Sequence, residues 1–190
     1  MSAAATPRTA PGRARRGLGR LAAVAAGLVV AMTLSLAPAH AETGAMVVPA
    51  SGRVTGVVGK YCSSGGAHGG VDIAAKTGTP VVAADSGTVS IAGTRAGSET
   101  YGILVRLHHG TRYRTIYAHL SKVAVRAGQS VKEGQIIGYV GNTGRSYGAH
   151  LHFEVRLDNV RQSGINSSFR CGSTVAAGTR MGWSFPYLAR

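Results

Sequence analysis

A mostly β domain of antiparallel strands, arranged as a sandwich or half-open barrel, is the fold class the sequence predicts. Three observations carry that expectation. Polar and apolar residues alternate with period 2 in short runs, most clearly in His150-Leu151-His152-Phe153-Glu154-Val155. Glycine is abundant, 28 of 190 residues, which fits many tight turns. Beyond the N-terminal segment, no window of 11 or more residues carries a helical apolar stripe.

In chain order, residues 1–41 read as a signal peptide rather than as fold. Arg8, Arg13, Arg15, Arg16 and Arg20 form a basic region, residues 21–37 are almost all apolar, and Ala39-His40-Ala41 supplies a small-x-small cleavage site. The apolar run is near the lower limit for crossing a bilayer, so cleavage after Ala41 and export are expected, with no stable membrane insertion afterwards. Arg15-Arg16 leaves the general secretory and twin-arginine routes both open. Residues 42–51 are a short lead-in, too short for an inhibitory pro-region in cis.

Residues 52–70 hold seven glycines with Ser63 and Ser64, a loop composition that leads into a strand at His68-Gly69-Gly70-Val71-Asp72. Strands are expected at 80–84 and 87–92 around the Asp85-Ser86-Gly87 turn. Others are expected at 103–107 and 113–118, flanking a hairpin end at His108-His109-Gly110-Thr111 where both histidines would be solvated. Val131, 135–140 and 151–157 complete a domain over 52–157. Residues 158–190 form a tail, polar and loop-like to Arg180, with Trp183, Phe185, Tyr187 and Leu188 folding it back onto the domain.

Without residues 1–41 the chain has 16 basic and 7 acidic side chains, a formal +9. In an exported protein such charge favours an anionic surface. The basic residues are scattered and aromatics are few, so no nucleic-acid partner is expected. Cys62 and Cys171, an even pair in an oxidising compartment, read as one disulfide closing a loop of more than a hundred residues. A thiolate beside His68 is the alternative reading of Cys62.

His150 and His152 leave one strand face together, which suits half a metal site, a proton relay or a solvated surface. His68 and Asp72, four apart, add imidazole and carboxylate donors. A catalytic zinc keeps three protein ligands and one open position. His68, Asp72 and either strand histidine meet that count, with two histidines left for proton transfer and oxyanion stabilisation. Together, His68-x-x-x-Asp72, Pro80-Val81-Val82-Ala83-Ala84 with Gly87-Thr88-Val89, Tyr117-Ala118-His119-Leu120, and Gly141-Asn142-Thr143-Gly144 before His150-Leu151-His152 resemble the lysostaphin-like (LytM-type) peptidoglycan metalloendopeptidases. The resemblance spans residues 54–157. It implies one Zn2+ held by His68, Asp72 and His152, with His119 and His150 as the unligated catalytic pair. It further implies long loops flanking a groove on one sheet, and hydrolysis of stem or cross-bridge peptides in bacterial cell wall; the signal peptide gives a secreted or wall-associated location, and a monomer is the default expectation. Ser146-Tyr147-Gly148-Ala149 departs from the family's usual Ser-Thr-Gly-Pro.

Tyr117 either orients substrate or packs in the core with a polar tip. Asn142 is a candidate substrate contact or a turn residue. Glu154 is expected to support the histidines rather than ligate. Two other functions compete. One is a catalytically silent module that binds wall or activates another hydrolase, against which all five polar positions are present. The other is a biotinyl or lipoyl carrier, which segments 87–89 and 128–135 resemble locally but which lacks a displayed lysine flanked by Met or Asp.

Overall fold

The computed structural model describes residues 45–184; the expected signal peptide and Phe185, Tyr187 and Leu188 lie outside that range. The lead-in contains a strand, Ala45–Val47 (β1), and Met46, Val47, Val48 and Ala50 are buried. Gly52–Val57 (β2) and Lys60–Tyr61 (β3) precede the glycine-rich loop, which delivers the chain to Val71–Ala74 (β4). Pro80–Val82 (β5) and Gly87–Gly93 (β6) lead to the hairpin of Ile103–His109 (β7) and Tyr113–Val123 (β8). Ser130–Val131 (β9), Ile136–Val140 (β10) and His150–Leu157 (β11) follow. Val160–Arg161 (β12), Thr174–Val175 (β13) and Arg180–Ser184 (β14) punctuate the C-terminal stretch. Among the described residues, helix is confined to the 3-10 turns Glu99–Tyr101 and Ser163–Ser168, and none is long and apolar enough to cross a membrane.

The main sheet runs β13-β2-β4-β11-β8-β7-β6-β9, every pair antiparallel. The eleven-residue β8 pairs with β11 along its first part and with β10 along its last, and β10 also takes β5. This double use curls the sheet into an open, half-barrel arrangement. A separate ribbon joins β1 to β14, so the segment before the domain and the end of the tail pair directly.

Period-2 alternation assigns the two faces. Val71, Ile73, Leu151, Phe153, Val155, Tyr117, Val105 and Leu107 enter one core, where the Tyr117 and Phe153 rings sit 5.3 Å apart. The other face carries rows set by the register. One row runs through Asp72, His152 and Ala118, the next through Glu154, Ile116 and Arg106, and a third through Arg156, Arg114 and His108. His109 departs from expectation. The same alternation turns it inward, where it is buried, its Nδ1–H donating to the Ser86 carbonyl at 2.8 Å and its Nε2 2.7 Å from Thr115 Oγ1. Local composition marks a hairpin end there, but β7 continues through His109 before Gly110 turns the chain at φ 65°.

Candidate active site

Three elements bring the donors together. The loop before β4 presents His68, β4 presents Asp72, and β11 presents His152 directly across the ladder from Asp72. Asp72 Oδ1 lies 3.1 Å from His68 Nε2 and 2.8 Å from His152 Nδ1, and those two nitrogens are 3.2 Å apart. All three residues are buried. Donors around a tetrahedral zinc with bonds of ~2.0–2.1 Å would stand roughly 3.3 Å apart, so this triangle of two imidazoles and a carboxylate fits such an ion after slight expansion.

Each histidine is aimed by the hydrogen bond on its other nitrogen. His68 Nδ1–H donates to the Val57 carbonyl at 3.2 Å, and His152 Nε2–H donates to Glu154 Oε1 at 3.1 Å. Glu154 is 1% exposed and also accepts from Tyr101 Oη and Arg156 Nε. Two glycines make the approach possible. A Cβ on Gly70 would lie 2.6 Å from the Phe153 carbonyl and 2.8 Å from the His152 ring, and one on Gly56 would lie 2.8 Å from His68 Nδ1.

His150 and His119 flank the cluster. His150 Nε2 is 3.6 Å from Asp72 Oδ1, and its Nδ1–H donates to the Gly148 carbonyl at 2.8 Å. His119 Nδ1–H donates to the Thr143 carbonyl at 2.8 Å, and its ring lies 4.7 Å from that of His150 and 5.7 Å from that of His152. Strict alternation would send His119 to the core, because Ala118 already shares a face with His152. Its φ of 61°, where β8 exchanges β11 for β10, turns the ring back to the site face. Thr143 secures that turn, its Oγ1 bonded to Leu120 O and to Ile103 N.

The field of the site favours a cation. Burial works against the Asp72 carboxylate, yet hydrogen bonds from His152 and His68 hold it well below the usual range. Burial likewise opposes charge on His152, but Asp72 and Glu154 overcome it and lift its pKa to about 9, so metal binding would displace a proton. His119 is pushed down to about 4 by burial and by the neighbouring histidines, against the Thr143 carbonyl, and is neutral at pH 7 with its Nε2 lone pair free.

A groove of about 770 Å³ opens over the cluster, walled by Tyr61 and Ser63 on one side and by residues 145–149 on the other. Tyr147, 91% exposed, stands on its rim. Tyr117 takes the packing role of the two the sequence allowed: it is in the core, its hydroxyl accepting from the Ala84 amide at 2.8 Å, away from the groove. Asn142 is exposed and does not line the groove; its neighbour Thr143 contacts the site instead. Cys62 and Cys171 are bridged, with Cα atoms 5.5 Å apart, so no thiolate is available to the site. Tyr101 and Arg156 are contributors that no sequence pattern singled out, and Thr143 stood within a quoted motif without an assigned role.

The chain has relatives among known proteins. Over 91 residues it is 48% identical to an uncharacterized metalloprotease of Haemophilus influenzae, covering 48% of this chain and 19% of that protein. Over 108 residues it is 44% identical to the peptidoglycan DD-endopeptidase ShyA of Vibrio cholerae, covering 57% and 24%. The chain thus spans about a fifth to a quarter of the length of these two relatives. Among solved structures, the catalytic domain of lysostaphin from Staphylococcus simulans superposes with a TM-score of 0.50 at 36% identity, covering 60% of this chain and 88% of that one. A zinc-containing peptidase from Vibrio cholerae gives 0.55 at 32%, covering 64% and 39%. Residues 66–167, which hold all five histidine and aspartate positions of the site, match the pattern of peptidase family M23, and the chain belongs to that family.

Proposed function

We propose that this chain is an exported endopeptidase that hydrolyses peptide bonds in bacterial peptidoglycan with a single zinc ion. One observation carries the reading: a buried triangle of His68, Asp72 and His152 donors is flanked by two further imidazoles whose Nδ1–H groups are held by backbone carbonyls. The relatives named as peptidoglycan endopeptidases support the substrate, and the zinc-containing peptidase supports the metal.

His68, Asp72 and His152 would hold the ion, which when bound supplies a Lewis acid for the scissile carbonyl and lowers the pKa of water. The remaining work falls to the chain. His150, with Nδ1–H fixed on Gly148, offers Nε2 as the base that takes a proton from the attacking water. His119, oriented by Thr143, stands beside it and supports the developing oxyanion once its Nε2 carries a proton, while the proton that His150 took from water passes to the leaving amine. Glu154 fixes the tautomer and ring plane of His152. The groove holds the peptide in an extended form along the sheet face.

The test is mass analysis of fragments released from defined muropeptides. Hydrolysis should stop with a chelator and return with zinc, and metal analysis should find one zinc per chain. Intact muropeptides after incubation with the zinc-loaded protein would overturn the reading. For export, N-terminal sequencing of the processed protein should begin at Glu42.

A further inference from the structure

Beside the groove over His68, Asp72 and His152 lies a second cleft, of about 320 Å³, that the reaction above does not use. Tyr101 walls both. The floor is apolar, made by Ile91, Leu104 and Ile116, which belong to a small hydrophobic cluster separate from the main core. The rim is basic: Arg95, Arg106 and Arg156 line it.

Sheet register concentrates this charge. Arg106 stands across from Ile116, and in the neighbouring row Arg114 stands between Arg156 and His108. Among the described residues, no carboxylate lies within ion-pair distance of Arg95, Arg106 or Arg114. Two acids border the cleft: Glu99, whose Oε1 accepts from the Gly97 amide, and Glu154, which is taken by His152, Tyr101 and Arg156. Arg106 uses Nε on Ser90 Oγ at 2.8 Å, which keeps its planar end at the cleft. Burial, and then Arg114, Arg95 and Arg156, pull the Arg106 pKa down, and no acid offsets them. Two buried nitrogens of this face, Arg114 Nε and His108 Nε2, have no hydrogen-bond partner. Arg95 and Arg106, which no carboxylate pairs, stand with the Glu154-paired Arg156 over an apolar floor and fit an anionic group carried on a compact apolar unit.

We propose that this cleft is an anion subsite for the wall polymer, receiving a phosphate or carboxylate group at Arg95, Arg106 and Arg156 while the scissile peptide lies in the adjoining groove. The placement rests on peptidoglycan as substrate. Arg156 is four residues along β11 from His152, about 13 Å at ~3.3 Å per residue, a few peptide units from the bond that is cut. The two sources of such a group are the phosphodiesters of wall-linked polymers and the free carboxylates of stem peptides.

Two arms test it. Inorganic phosphate and acetate are each titrated into the zinc-loaded processed protein, with the arginine side-chain N–H signals followed by NMR. Saturable shifts at Arg95, Arg106 and Arg156 are expected with at least one anion, and in the Arg95→Gln/Arg106→Gln double variant the Arg156 shift should require at least ten-fold more anion. Arg106→Lys, which keeps the charge but not the planar fork, guards against misfolding and should bind at an intermediate level. The absence of saturable shifts with both anions overturns the subsite, whether or not walls are hydrolysed.

In the second arm, the double variant should raise KM for intact walls about ten-fold with little change in kcat. Arg170→Gln, an exposed charge near the opposite edge of the sheet, serves as the control. Loss of the KM defect on walls stripped of phosphate polymers assigns the group as phosphate; its loss on walls with amidated stems assigns it as carboxylate. An equal KM rise in the Arg170 control would reduce the effect to net charge and overturn the subsite. Saturable phosphate binding by a protein that cleaves no wall would instead overturn the substrate and leave the anion site standing.

Discussion

His119 reaches the three-donor cluster through one backbone angle. A left-handed φ at a non-glycine residue costs on the order of 1–2 kcal/mol, and here it is held by the bonds through Thr143. The division of labour at the site gives separable outcomes. Alanine at His68, Asp72 or His152 should abolish both zinc content and hydrolysis. Alanine at His119 or His150 should keep the zinc and cut kcat by about 10²–10⁴-fold, read by metal analysis beside turnover. An empty metal site in His119→Ala would undo the assignment. Gly70→Ala should lower zinc affinity, because the new methyl meets the Phe153 carbonyl and the His152 ring, neither of which has room to retreat.

His109 supplies a pH prediction. Burial lowers its pKa below the ordinary value near 6.5, so the unfolded chain binds its proton more readily than the folded one. Its stabilising contribution is therefore complete above about pH 6.5 and is lost as pH falls below it, by at most about 1.4 kcal/mol per pH unit. Urea unfolding of His109→Gln between pH 7 and 5 should show a shallower loss of stability than the parent. These residues also mark the limit of legibility. His150 and His152 could be placed on one face because alternation reports side-chain direction, while His68 and Asp72 were paired by their spacing and the division into ligands and catalysts came from the resemblance. The roles of Thr143 and His109 could not be read, since one acts through a carbonyl and the other sits in a segment whose composition signals a turn.

Among the elements, β11 and β8 organise the molecule; β11 was legible because its alternation is long enough to exceed chance, whereas β8 was read only over 113–118 and runs on to Val123. The ribbon of β1 and β14 was not legible. A three-residue strand has no usable period, and the partner of Ala45 is Ser184, at the other end of the domain. Yet the ribbon is energetically substantial, because it covers Met46 and Met181, both almost fully buried. Met46→Ala should cost about 2–5 kcal/mol in urea unfolding, as for other buried long side chains. A cost below 1 kcal/mol would mean that the ribbon is a loose appendage.

For the whole molecule, the Cys62–Cys171 bridge spans 109 residues and encloses β4 to β12 in one covalent loop. In the chain-entropy account, a loop of that length stabilises by about 4–5 kcal/mol. Reduction, or the Cys62→Ser/Cys171→Ser pair, should lower the unfolding free energy by an amount of that order. Reduction should also speed release of zinc, since the bridge anchors the segment that carries Ser63, Ser64 and His68 into the groove. Unchanged zinc retention under reductant would restrict the bridge to global stability.

The two-sided sheet has one more consequence. Along β11 the odd positions Leu151, Phe153 and Val155 answer to folding, and in the proposed mechanism the even positions 150 to 156 answer to the reaction. Failure at one set is expected as aggregation and proteolysis, failure at the other as an intact but inert protein. Screens for abundance and for lysis would thus recover alternate letters of a single eight-residue word.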